Sequence, residues 1–219
     1  MSQQVFTLTV SESLGSVSAE VITGEHVDAI MTFAHGAGAG MNHSFMTQLA
    51  NALAQVGVAT LRFNFPYMEQ QKRRPDVPAV AHKTIEAAIH EAHVRFPSIP
   101  LFASGKSFGG RMSSQYISNC AIENVKGIVF FGFPLHPAGK PSVDRAEHLK
   151  NVTVPMLFLQ GTRDELATWD LITNVTDELP QATLFKVEGA DHSFKAGKQD
   201  VIPVLARTTK AWINGVTGK

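Results

Sequence analysis

The chain has 219 residues, 44% of them hydrophobic and 17% charged, which is the composition of a globular protein. Lys plus Arg and Asp plus Glu both number 19, so the net charge is zero and no basic stripe gathers phosphates. That balance argues against nucleic acid and membrane surfaces as partners and for a small-molecule substrate.

The single cysteine, Cys120, rules out an internal disulfide and suits a reducing compartment. It is expected to be a small buried apolar side chain. Met1-Ser2-Gln3-Gln4 has neither a basic n-region nor a following apolar h-region, and no apolar run approaches the roughly 20 residues that span a bilayer. A cytoplasmic location is the expectation; the oligomeric state leaves no sign in the sequence.

Two β-rich stretches open the chain, at 5–10 and 17–22. A unit then repeats: a short apolar run, a turn rich in Gly, Pro or Asn, and a longer stretch of helical periodicity. Strands are predicted at 29–34, 58–63, 100–104, 127–131, 155–159 and 183–187. Helices are predicted at 45–56, 77–96, 108–118, 168–179 and 201–212, with a short one near 143–149. The alternation predicts one α/β domain over residues 1–219, with a mainly parallel sheet covered by helices on both faces. The leading pair of strands predicts an antiparallel start. The irregular stretches 64–78 and 133–141 both follow strands, where an open α/β sheet places its ligand crevice. Lys72, Arg73 and Arg74 in the first of these read as a solvated loop.

The sharpest motif is Gly105-Lys106-Ser107-Phe108-Gly109-Gly110, after a strand and before a helix. A serine held on a strained strand-to-helix turn needs small residues two before and two after it. The helix N-terminus behind the hydroxyl favours developing negative charge. Gly105-Lys106-Ser107 also resembles the tail of a phosphate-binding loop, but that motif needs a glycine where Pro100 stands.

A serine hydroxyl needs a base, and in this type of site an acid and then a histidine follow it along the chain. Asp164 lies on the tight loop after strand 155–159, and His192 on the Gly-opened loop after the last strand. His192 is expected to be the general base and Asp164 the carboxylate that orients it, with Glu165 the fallback acid. Asp191 is adjacent to His192 and poorly able to curl back onto its ring. The oxyanion hole is expected from the N–H groups of Phe108 and of the loop His35-Gly36-Ala37-Gly38-Ala39-Gly40, with Ala37 the first choice and Gly38 the second. A dinucleotide-binding reading of that loop would need glycine at Met41.

His82, Glu86, His90 and His93 fall at helical spacing but flank an apolar stripe one residue over, so they read as a solvated helix edge and not a metal site. His43 and His136 sit on rim loops. Phe65, Tyr67, Phe133, Trp169 and Phe194 are candidates to line an apolar substrate pocket.

With these pieces assembled, the chain resembles an α/β-hydrolase of the dienelactone-hydrolase-like kind. More narrowly, it resembles a small capless group that includes bacterial proteins and the hydrolase-like domain of an animal histone-acetyltransferase complex subunit. The matching segments are His35-Gly36-Ala37-Gly38, Asn64-Phe65-Pro66-Tyr67, Gly105 through Arg111, Gly161-Thr162-Arg163-Asp164, and Asp191-His192-Ser193-Phe194. The resemblance implies an eight-stranded sheet and a Ser107, Asp164, His192 triad. Dienelactone hydrolases proper carry cysteine as nucleophile, so serine here points to other substrates.

The expected function is hydrolysis of small carboxylic esters or thioesters through an acyl-enzyme, with no cofactor or metal. Residues 133–149 are too few for a large lid, which predicts an open site. A short-peptide hydrolase is the enzyme alternative, and a non-catalytic interaction module on a hydrolase fold is the alternative of a different class.

Overall fold

Strands β3 (Ala29–Ala34), β4 (Val58–Phe63), β5 (Leu101–Lys106), β6 (Val125–Phe131) and β7 (Met156–Gly161) are almost entirely buried. Continuous apolar runs become buried in this way when helices cover both faces of a parallel sheet. The computed structural model describes residues 1–120 and 123–219. Within them β1 (Ser2–Ser11) and β2 (Gly15–Thr23) form an antiparallel pair, and β2 lies antiparallel against β4. From β3 to β8 (Ala182–Val187) every pairing is parallel, and the eight strands run in the order β1-β2-β4-β3-β5-β6-β7-β8.

Helices α1 (Ser44–Gln55) and α6 (Ile202–Thr217) cover one face. Met46, Leu49 and Leu53 of α1 and Leu205 and Ile213 of α6 pack with Phe33, Val129 and Phe131 of the sheet. The apolar residues of α1 recur at helical spacing, so a single stripe faces inward. Helices α3 (Pro78–Arg95), α4 (Phe108–Asn119) and α5 (Trp169–Asp177), with a 3-10 helix over Asp144–Asn151, cover the other face.

A short helix, α2 (Pro66–Glu69), stands inside the stretch expected to be irregular. Pro66 sets its first turn, but four residues are too few to leave a periodic trace. The strand expected at 100–104 runs on to Lys106, which brings that lysine to the edge of the site. Cys120, expected to be buried, is exposed: it caps α4 beyond Ile117, the last buried residue of that helix. The β6-to-β7 connection holds only the 3-10 helix, so no large cap covers the carboxyl ends of the strands. Among the described residues, no helix is long and apolar enough to cross a membrane.

Candidate active site

Ser107 is the one residue between β5 and α4, with φ 51° and ψ −115°. A side chain at positive φ is strained by about 1–3 kcal/mol, and surrounding packing has to hold it there. That packing is visible at the flanking glycines. A Cβ at Gly105 would stand 2.3 Å from the Gly110 nitrogen, and one at Gly109 would stand 2.4 Å from the Ala34 carbonyl oxygen. Helix α4 therefore approaches β5 and the end of β3 more closely than any side chain at those positions permits.

The Ser107 Oγ lies 2.8 Å from His192 Nε2, and His192 Nδ1 lies 2.7 Å from Asp164 Oδ2. The carboxylate can only accept, so Nδ1 carries the proton and donates it. Nε2 is left as acceptor for the serine hydroxyl. Asp164 is buried and otherwise satisfied: Oδ2 also accepts from Gln160 Nε2 at 2.6 Å, and Oδ1 accepts the Leu166 N–H at 2.8 Å. Asp191 turns its Oδ1 to the N–H groups of Ser193 and Lys195, closing its own loop and leaving the ring to Asp164. Glu165 is exposed. Gly161 lets the two loops meet, since a Cβ there would stand 2.3 Å from the Ala190 carbonyl oxygen.

On the opposite side, the loop after β3 is anchored by His35, which is fully buried. Its Nε2 accepts the Phe65 N–H at 3.1 Å, so Nδ1–H donates to the Gly36 carbonyl at 2.8 Å. Burial pushes the imidazole down to about 4, which keeps it neutral. The Gly38 N–H donates to Tyr67 Oη at 2.9 Å and is thus occupied. Among the described residues, the Ala37 and Phe108 N–H groups have no backbone acceptor outside regular elements, and Ala37 faces the cleft.

The cleft in front of Ser107 encloses about 320 Å³. Phe45, Met46 and Leu166 form its apolar walls, with His43 and Ser193 at the rim. The five aromatic residues expected to line it do not. Phe65, Tyr67 and Phe133 are buried in the core beneath the site, where their rings pack with His35, Phe108 and Phe158. Trp169 packs at the start of α5 beside Lys186. Phe194 stands behind the cleft, stacked on Phe45 with ring centroids 5.4 Å apart. Phe65, Tyr67 and Phe133 follow strands in sequence, but their side chains turn into the core beneath the helices. His136 is buried with its Nδ1 at the Pro137 carbonyl and does not reach the cleft.

Sequence reasoning missed Phe45, Met46, Leu166, Gln160 and the reach of Lys106. The only trace of the first two is their place directly after the glycine loop. Nothing local marks Gln160 beyond a polar residue at the end of an apolar strand. Among the described residues, no group of three His, Cys, Asp or Glu side chains is arranged to hold a metal.

A model of the alpha/beta hydrolase domain matches residues 27–212. An alpha-beta serine hydrolase homologue from Coxiella burnetii superposes with a TM-score of 0.78 at 19% identity, over 95% of this chain and 98% of that one. A serine hydrolase without a lid from Xanthomonas campestris gives 0.76 at 20% identity, over 97% and 95%. A dienelactone hydrolase from Anabaena variabilis gives 0.79 at 17% identity, over 98% and 97%. At such identities the likeness is one of fold.

Proposed function

Because this chain belongs to the alpha/beta hydrolase domain family, we propose that it is a serine hydrolase acting on small carboxylic esters or thioesters. The observation that carries the reading is the chain of contacts from Ser107 Oγ to His192 at 2.8 Å and from His192 to Asp164 at 2.7 Å, built on a strained serine. Strain of this kind persists where the packing over-determines it, and it holds the hydroxyl out toward the cleft.

In the proposed reaction, Ser107 Oγ attacks the substrate carbonyl carbon while His192 Nε2 takes its proton. The C–O π pair moves to the carbonyl oxygen, which the Ala37 and Phe108 N–H groups receive. Asp164 stabilises the imidazolium without becoming protonated. Collapse expels the alcohol or thiol, protonated by His192, and leaves an acyl ester on Ser107. Water, deprotonated by His192, then attacks that ester and releases the acid. The apolar walls Phe45, Met46 and Leu166 suit a short acyl group, and a cleft of about 320 Å³ is at the small end for ligand sites.

Labelling with a fluorophosphonate probe, read by mass spectrometry, tests this reading. The expected result is an adduct on the Ser107 peptide that is lost in Ser107→Ala and His192→Ala, together with turnover of p-nitrophenyl acetate. Folded protein that takes no label and turns over no ester would favour the non-catalytic interaction module instead.

A further inference from the structure

Lys106 is a cation that this reaction scheme does not use. It precedes the serine in the elbow, yet its side chain leaves that element. Its Nζ donates to the backbone carbonyl of His192 at 2.6 Å. Its stem runs under the oxyanion loop, where a Cβ at Gly36 would stand 3.6 Å from Lys106 Cγ. Its ammonium lies 5.4 Å from the centre of the Phe194 ring. Gly132 marks how tightly the head group is enclosed. A Cβ there would be 3.2 Å from Lys106 Nζ and 3.6 Å from both Asp164 Oδ2 and His192 Nδ1. One ammonium thus holds the loop after β8 and borders the Gly132 turn after β6 and the carboxylate of the loop after β7.

We propose that Lys106 is a positioning residue, which holds the His192 carbonyl and thereby sets the place of the imidazole over Ser107. The proposal rests on the serine-hydrolase reading. The histidine loop is shaped by its own Asp191 turn and tied to the loop after β7 by the Arg163 N–H, which donates to the Ala190 carbonyl at 2.9 Å; Lys106 adds a tie from β5 itself. The charge acts as well. Asp164 and Asp191 attract the ammonium and so help to keep it at the His192 carbonyl. Burial pulls the ammonium itself down to about 8, against the pull of the two carboxylates, as its enclosure requires.

The test compares Lys106→Met, which removes donor and charge, with Lys106→Gln, which keeps an N–H donor alone. Lys106→Met is expected to lower kcat by about 10–100-fold with KM within about twofold, the signature of a misplaced catalytic group. Lys106→Gln is expected to recover part of that loss, because an N–H donor remains. The NMR chemical shifts of the His192 ring are expected to change in Lys106→Met. A folded Lys106→Met protein with wild-type kcat and unchanged ring shifts overturns the proposal. If Lys106→Met does not fold, Lys106→Gln decides: wild-type kcat with unchanged ring shifts overturns it. Wild-type protein that neither labels nor turns over ester would sink the hydrolase reading, and the ring shifts would still decide the role of Lys106.

Discussion

Gln160 and His192 share one oxygen: Gln160 Nε2 donates to Asp164 Oδ2 at 2.6 Å and His192 Nδ1 donates to the same atom at 2.7 Å. The amide of Gln160 is held in turn by the Phe133 N–H, which donates to its Oε1 at 2.9 Å. Gln160→Leu removes both bonds and leaves a buried Phe133 N–H unpaired. The expected cost is about 1–3 kcal/mol of stability. A kcat lower by about tenfold should accompany it, because Asp164 gains freedom to turn. Urea denaturation and steady-state kinetics on the same variant measure the two effects.

The two aspartates near His192 are separable. Asp164→Asn keeps the shape but favours the wrong tautomer of the ring, and should lower kcat by about 10⁴-fold. Asp191→Asn retains the Oδ1 acceptor for Ser193 and Lys195, and is expected to leave kcat within about threefold by the same logic. Comparable losses in both variants would reassign the acid.

Stability should depend on pH through His35. Its folded value lies near 4, below the ordinary 6.5, so between those values the unfolded chain binds a proton that the folded chain refuses. The contribution is complete above pH 6.5 and is lost as pH falls toward 4, by about 1.4 kcal/mol per pH unit. His148, pushed down to about 4 by burial and then by nearby Arg111 and His82, acts in the same direction. Denaturation midpoints between pH 6.5 and 5 check the slope, in a window above the ordinary carboxylate range. A flat profile there would mean that His35 protonates in place.

The loop that carries Ala37 is tied to the sheet by a buried ion pair. Arg62 pairs with Glu20 through Nη2, while its Nη1 donates to the Met41 carbonyl at 2.9 Å and to Thr47 Oγ1 at 2.8 Å. Glu20→Ala strands the guanidinium in the interior and should cost about 3–5 kcal/mol. Chemical denaturation gives the number directly, and a cost below 1 kcal/mol would show that water reaches the pair.

Phe45 and Phe65 distinguish the cleft wall from the core. Phe45→Ala should widen the cleft and shift preference toward longer acyl chains, with a change in KM across a p-nitrophenyl ester series. Phe65→Ala should instead cost about 3–5 kcal/mol of stability without changing the order of preference. The reverse pattern would restore Phe65 to the pocket.

What the sequence determined by itself is local. Strand–turn–helix punctuation, the glycines at 105 and 109, and the placing of Ser107, Asp164 and His192 each just past an apolar strand are read within a few residues, because turn sterics and periodicity act at that range. The expectation that Asp191 does not curl back onto the ring of His192 is of the same local kind, since adjacency alone limits how a side chain reaches its neighbour's ring, and the Asp191 Oδ1 turns to Ser193 and Lys195. Only the tertiary structure decided which side chains face the cleft and which support it. Phe65 just past β4 and Phe45 in the first turn of α1 are both aromatics beside the strand ends' loops in sequence, yet one is sealed beneath the His35 loop and the other forms a wall. Lys106 and Gln160 acquire their partners 86 residues downstream and 27 residues upstream along the chain, at His192 and Phe133. Such contacts depend on how the loops after β5, β6, β7 and β8 converge, and that convergence is a property of sheet order and twist that no short window of sequence contains.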